Sequence, residues 1–185
     1  MKSGVRALGI AESYRGEESV LGGAVVRADR IVDGFAFSQV TVGGLDATEA
    51  VSSLVGRLGR EDVPYLFLSG IAPAWFNLYD LHRIHKATGM AVCSVSFEAS
   101  DGLEAGLDEA FSGEERDRRL AIYERQPPRR RVDVNGEAVF VRTVGLDDEE
   151  ATSIVRAFTP EGGRPEPLRV ARLAARAADE WRGGE

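Results

Sequence analysis

The sequence predicts one α/β domain built on a mixed β-sheet flanked by helices. Three observations lead there. Three apolar segments of strand length follow one another near the N-terminus, strand-like and helix-like segments alternate after them, and 185 residues with 43% hydrophobic content suffice for one sizeable core.

Val5 to Ile10 reads as a first buried strand. Leu21 to Arg27 and Ile31 to Val42 follow it around a polar Arg27-Ala28-Asp29-Arg30 turn, which predicts an antiparallel meander. Asp46 opens a helix, because Glu49 three positions later completes a capping-box pattern and Ala50, Val51, Leu54, Val55 and Leu58 keep helical spacing up to Gly59. Tyr65 to Leu68 is a short fourth strand. Phe76 to Ala87 is helical through Leu78, Leu81, Ile84 and His85, and Met90 to Val95 is a fifth strand. Strand, helix, strand in that order implies a right-handed parallel crossover. The first strand is therefore expected in the centre, between Leu21 to Arg27 and Tyr65 to Leu68.

Beyond Glu98 the chain becomes charged. A helix is expected over Glu114 to Arg125, running into the Pro127-Pro128 break, and Asn135-Gly136 marks a two-residue hairpin turn between the alternating segments around Val132 to Val141. This stretch, about 112–145, reads as a charged insertion within one domain spanning 1–185. Asp147 to Ala157 and Pro167 to Trp181 are helical, the latter with Leu168, Ala171, Leu173, Ala174 and Ala178 as its packing face.

Composition excludes several classes of function. A single cysteine, Cys93, allows neither a disulfide nor a thiolate metal cluster, and its apolar neighbours make it a packing thiol. No apolar run approaches the ~20 residues of a membrane span, and Met1-Lys2-Ser3-Gly4 leads into a strand without a signal-peptide core, so a cytoplasmic protein with no membrane partner is expected. Thirty acidic against 23 basic residues give a net charge of -7, which repels nucleic acid at long range. A nucleic-acid role then needs a local basic patch or a divalent metal.

The segment Tyr65-Leu66-Phe67-Leu68-Ser69-Gly70 is a buried strand stopping at a small polar residue and a glycine, and ligands of open α/β sheets collect at such strand ends. With Leu8-Gly9-Ile10-Ala11-Glu12-Ser13, Gly43-Gly44-Leu45-Asp46-Ala47-Thr48 and Pro165-Glu166-Pro167-Leu168-Arg169-Val170-Ala171-Arg172, it resembles the archaeal endonuclease dU family, itself distantly similar to endonuclease V. The resemblance covers nearly the whole chain. It implies a ribonuclease H-like fold, hydrolysis of a phosphodiester by a metal-activated water, DNA or RNA carrying uracil or hypoxanthine as substrate, and Mg2+ or Mn2+ as the ion. The few lysines beside many acidic residues agree with an archaeal, halophilic source. The chain departs from the endonuclease V pattern at three places: Ala11 stands at the first-strand aspartate, Ser69-Gly70 stands where that pattern has Asp-Gly, and the histidine that follows shortly after that pair has no counterpart before His82. These departures keep a second reading open, a catalytically degenerate nucleic-acid-binding or protein-interaction module of the same fold.

Metal-dependent phosphodiester cleavage needs carboxylates gathered from different elements. Glu12, just past the first strand, and Asp46, at the first helix, are the expected catalytic and metal-holding residues, with Glu98 after the fifth strand as a third ligand. Asp46 is equally suited to capping the helix. Ser69 and Gly70 are expected to contact a ligand, and Trp75 either stacks a base or packs into the core. Arg129 and Arg130, within Arg129-Arg130-Arg131, are suited to clamping phosphate or to answering the acidic surface. Arg164 and Arg169 near the last helix form either an ion-pair cluster with Glu166 or an anion site.

Overall fold

The computed structural model describes residues 2–184, with Arg15 described by its backbone alone. Seven strands form one mixed sheet in the order β3-β2-β1-β4-β5-β7-β6. β1 (Arg6–Arg15), β2 (Glu18–Arg27) and β3 (Val32–Thr41) are the antiparallel meander, and β4 (Tyr65–Ser69) pairs parallel to β1 with Ile10 opposite Leu68. β1 is central between β2 and β4, as the sequence predicts. β5 (Ala91–Ser96) pairs parallel to β4. This is the ribonuclease H-like arrangement, extended at one edge. β7 (Glu137–Val144) pairs antiparallel to β5 and carries β6 (Arg130–Val134) beyond it, joined by a turn in which Asn135 and Gly136 have φ of 51° and 84°. The hairpin expected to form part of an insertion is thus woven into the main sheet, because β7 supplies the ladder that the outer edge of β5 lacks.

Helices cover both faces. α1 (Ala47–Leu58) and α3 (Leu81–Thr88) bury Val51, Leu54, Leu81 and Ile84 against Leu8, Ile10, Leu66 and Val92. On the other face α6 (Asp148–Ala157) packs Ile154 and Val155 with Phe67, Val95 and Val141, and Phe158 meets Phe67 edge to face at 5.6 Å. α7 (Glu166–Gly183) lies directly on β1 and β2. A Cβ on Gly9 would stand 2.2 Å from the Pro167 carbonyl, and one on Gly22 would stand 2.7 Å from Ala175 N, so only glycine admits the helix this closely. Cys93 is buried in this core, and burial pushes its thiol up to about 12.

Four local expectations change. Leu173 is 54% exposed, because α7 turns Leu168, Ala171 and Ala175 to the sheet instead. α4 (Glu104–Ala110) precedes α5 (Gly113–Glu124) and has no counterpart in the expected elements. The helix expected from Phe76 starts only at Leu81; before it, α2 (Pro73–Phe76) is a single turn in which Ala74, Trp75 and Phe76 have φ of 46°, 58° and 57°, a left-handed run. The fourth change is at α1. Asp46 makes no capping hydrogen bond, because Thr41 and Asn77 draw its carboxylate away, and Asn77 Oδ1 accepts the Ala47 N–H at 2.9 Å in its place.

Candidate functional site: an arginine-lined cleft at the strand ends

The parallel strands β4 and β5 end side by side, and their ends open into a cleft of about 420 Å3. Ser69 and Gly70 form its floor at the end of β4; Gly70 adopts φ 72° and donates its N–H to Val95 O at 2.8 Å. Four arginines enter from four elements. Arg129, just before β6, lies over the Phe140 ring at 4.2 Å and donates to Ser96 Oγ at 2.9 Å and to Ser100 O at 3.2 Å. Arg142 on β7 stands over Tyr123 and donates to Pro127 O. Arg164 stacks on Phe97 at 3.9 Å, and Arg172 comes from α7. Among the described residues, Glu98 is the one carboxylate residue lining the cleft.

Charge is not balanced within it. Arg164 and Arg172 make no ion pair or hydrogen bond with another described residue. Desolvation, and secondarily Arg172, hold Arg164 below the ordinary arginine value, while desolvation and Arg142 do the same to Arg129. Planar guanidinium groups pre-stacked on aromatic rings keep their edges free for bidentate contacts with oxyanions.

The structure brings Ser69, Gly70, Glu98, Arg129 and Arg164 together. It separates the others. Arg130 alternates to the opposite face of the sheet from Arg129 and pairs with Asp148 at 3.1 Å, so the arginine triplet does not act as one cluster. Arg169 pairs with Glu166 at 2.6 Å on the exposed side of α7, and Arg172, three residues on, takes the cleft position. Trp75 is 58% exposed on the left-handed turn and meets Phe76 edge to face at 5.5 Å, outside the cleft lining.

Of the three expected metal ligands, Glu12 and Asp46 are held in hydrogen-bond networks of their own and Glu98 lines the cleft. Glu12 Oε2 accepts the Ala74 N–H at 2.6 Å and the buried Ser19 hydroxyl at 3.0 Å, and burial raises its pKa despite these bonds and the charge of Arg172. Asp46 accepts from Thr41 N at 3.2 Å, Thr41 Oγ1 at 3.0 Å and Asn77 Nδ2. Among the described residues no group of three or more His, Cys, Asp or Glu side chains is placed to share an ion. A carboxyl biased toward its neutral form, a second bonded by Thr41 and Asn77, and a third among guanidiniums do not fit a magnesium or manganese centre, which needs converging anionic oxygens.

Arg142 and Arg172 are the cleft arginines that sequence reasoning missed. Arg142 shares a strand face with Phe140, and Arg172 follows Leu168 by one helical turn. Both are weak signals without the fold.

A meander-plus-parallel sheet with its cleft at the strand ends defines a ribonuclease H-like α/β protein. The chain belongs to the endonuclease dU family, whose sequence profile matches residues 3–179. It is 31% identical over 186 residues to a UPF0215 protein of Thermococcus kodakarensis, spanning 96% of this chain and 93% of that one. Its fold is similar to that of a crystallised protein of unknown function from Archaeoglobus fulgidus, with a TM-score of 0.84 and 32% identity over 94% of this chain and 97% of the other. The endonuclease V of Ciona intestinalis, solved with a 24mer DNA containing an inosine followed by a ribo-adenosine, shares the fold at TM-score 0.61 and 13% identity, over 97% of this chain and 87% of that one. Among the described residues no helix is long and apolar enough to cross a membrane.

Proposed function

We propose that this protein is a cytoplasmic nuclease acting on DNA or RNA that carries a deaminated base, uracil or hypoxanthine. The observation that carries this reading is the cleft itself: two unpaired guanidinium groups, Arg164 and Arg172, at the carboxyl ends of parallel strands in an endonuclease V-type fold. Its arginines supply the local positive field that a chain of net charge -7 otherwise lacks. The family description and the inosine-containing DNA bound by the Ciona enzyme supply the substrate class.

In this reading Arg164 and Arg172 grip backbone oxygens, Ser69 donates a hydrogen bond to the substrate, and exposed Trp75 stacks a base beside the cleft. Glu12, partly desolvated and within reach of the charge of Arg172, is a carboxyl able to take up or release a proton. Two observations favour the second reading, a module that binds nucleic acid without cutting it: β4 ends in Ser69, and the carboxylates do not converge among the described residues.

Oligonucleotides bearing one uracil or hypoxanthine, as DNA and RNA, single- and double-stranded, with and without magnesium or manganese, decide between the two. Cleavage near the lesion by the wild type, lost in Arg172→Ala, is the expected result. Binding that depends on Arg172 without cleavage under any condition establishes the binding module instead.

A further inference from the structure

The cleft holds more positive charge than an internal phosphodiester answers. Of its four guanidinium groups, Arg129 is committed to Ser96 Oγ and Ser100 O, and Arg142 to Pro127 O. Arg164 and Arg172 are left over, with Arg172 close enough to lower Arg164 from its ordinary value, and among the described residues Glu98 is the only carboxylate residue lining the cleft. Two like charges lining one cleft repel each other, and the arrangement becomes favourable when an anion sits between them. A phosphodiester brings one negative charge. A phosphomonoester brings about -1.5 to -2 at neutral pH and three terminal oxygens, enough for a bidentate contact with each guanidinium.

The size of the cleft points the same way. Its volume of about 420 Å3 lies within the ~300–1,000 Å3 typical of pockets for one small ligand, which suits a single nucleotide better than a run of them. Phe97, Tyr123 and Phe140 back its walls, each under an arginine, so a base entering the cleft finds planar guanidinium faces to lie against. Resting on the nuclease reading, we infer that Arg164 and Arg172 form a pincer for the terminal phosphomonoester of a nucleic-acid strand. The protein then engages a strand end, such as the one that phosphodiester cleavage releases.

Fluorescence anisotropy with one internally labelled single-stranded sequence in three forms (5′-phosphate, 3′-phosphate, hydroxyl at both ends) tests this, with uridine monophosphate and uridine as competitors. One phosphorylated form is expected to bind about tenfold or more tighter than the hydroxyl form. Uridine monophosphate, but not uridine, should compete. The ratio should fall to near one in Arg172→Ala, whose site is exposed on α7 and tolerates truncation, and in Arg164→Ala, with melting temperatures recorded for both. Equal affinity for the three forms overturns the pincer and leaves the nuclease reading standing. Binding of the monophosphate without any oligonucleotide keeps the pincer and removes the nuclease reading. A preference that survives both substitutions, or no binding of any probe, overturns the pincer.

Discussion

Glu12 illustrates how burial redefines a residue that looks like a metal ligand in the sequence. Its carboxylate accepts two hydrogen bonds, yet desolvation outweighs them and raises its pKa above the ordinary 4.5. The folded chain therefore holds this proton more tightly than the unfolded chain does. At neutral pH the native state bears the cost of the charged form, and that cost disappears as pH falls through the raised value toward 4.5. The stability of wild type relative to Glu12→Gln should accordingly rise as pH is lowered over that window, in denaturant titrations at matched ionic strength. A difference independent of pH would contradict the raised pKa. Asn77, fully buried, bonds Ala47 N, Thr41 O and Asp46 at once. Asn77→Ala leaves these groups unsatisfied and should cost about 2–3 kcal/mol by chemical denaturation, with an unchanged slope.

At the scale of elements, the left-handed turn α2 and the contact of α7 with β1 make opposite demands on side chains. A non-glycine residue in the left-handed region costs roughly 1–2 kcal/mol, and α2 holds three in a row, pinned by Glu12 at the Ala74 N–H and by Gly43 N–H at Ala74 O, 2.7 Å. Strain of this kind persists where a function uses it. Trp75→Asn keeps a residue that tolerates φ 58° and removes an exposed ring, so it should stabilise the free protein by up to about 1 kcal/mol while weakening single-stranded oligonucleotide binding. Thermal melts and anisotropy check the pair; stabilisation with unaltered binding would make Trp75 a bystander. At the helix contact, Gly9→Ala forces a methyl group into the Pro167 carbonyl and should destabilise by about 3 kcal/mol or more, read from the denaturation midpoint.

Across the whole molecule, the acidic surface and the cationic cleft oppose each other. A net charge of -7 repels nucleic acid except where the cleft concentrates positive potential, so the proposed function predicts that few phosphates are contacted at once. With Arg164 and Arg172 answering about two negative charges, log affinity for single strands should fall against log salt with a slope near -0.7 for each charge neutralised, roughly -1.4 in all. Arg172→Ala should make that slope shallower by about half. A slope several times steeper would mean contacts spread over a wide basic surface, which the charge balance does not provide.

Sequence alone determined the meander, the parallel crossover, the central place of β1 and the hairpin turn at Asn135-Gly136, because strand periodicity, helix spacing and turn chemistry are local properties. It also marked the strand end at Ser69-Gly70 and two of the four cleft arginines, Arg129 and Arg164. Tertiary structure decided the rest. Whether Asp46 caps its helix depended on Asn77, 31 residues away; whether Arg130 or Arg142 faces the cleft depended on strand alternation and on β7 pairing with β5; and whether Glu12 and Asp46 are free to hold an ion depended on the hydrogen bonds that occupy their carboxylates. A residue's chemistry is written in its side chain, but its charge state and its partners follow from burial and from long-range contacts that no local pattern encodes.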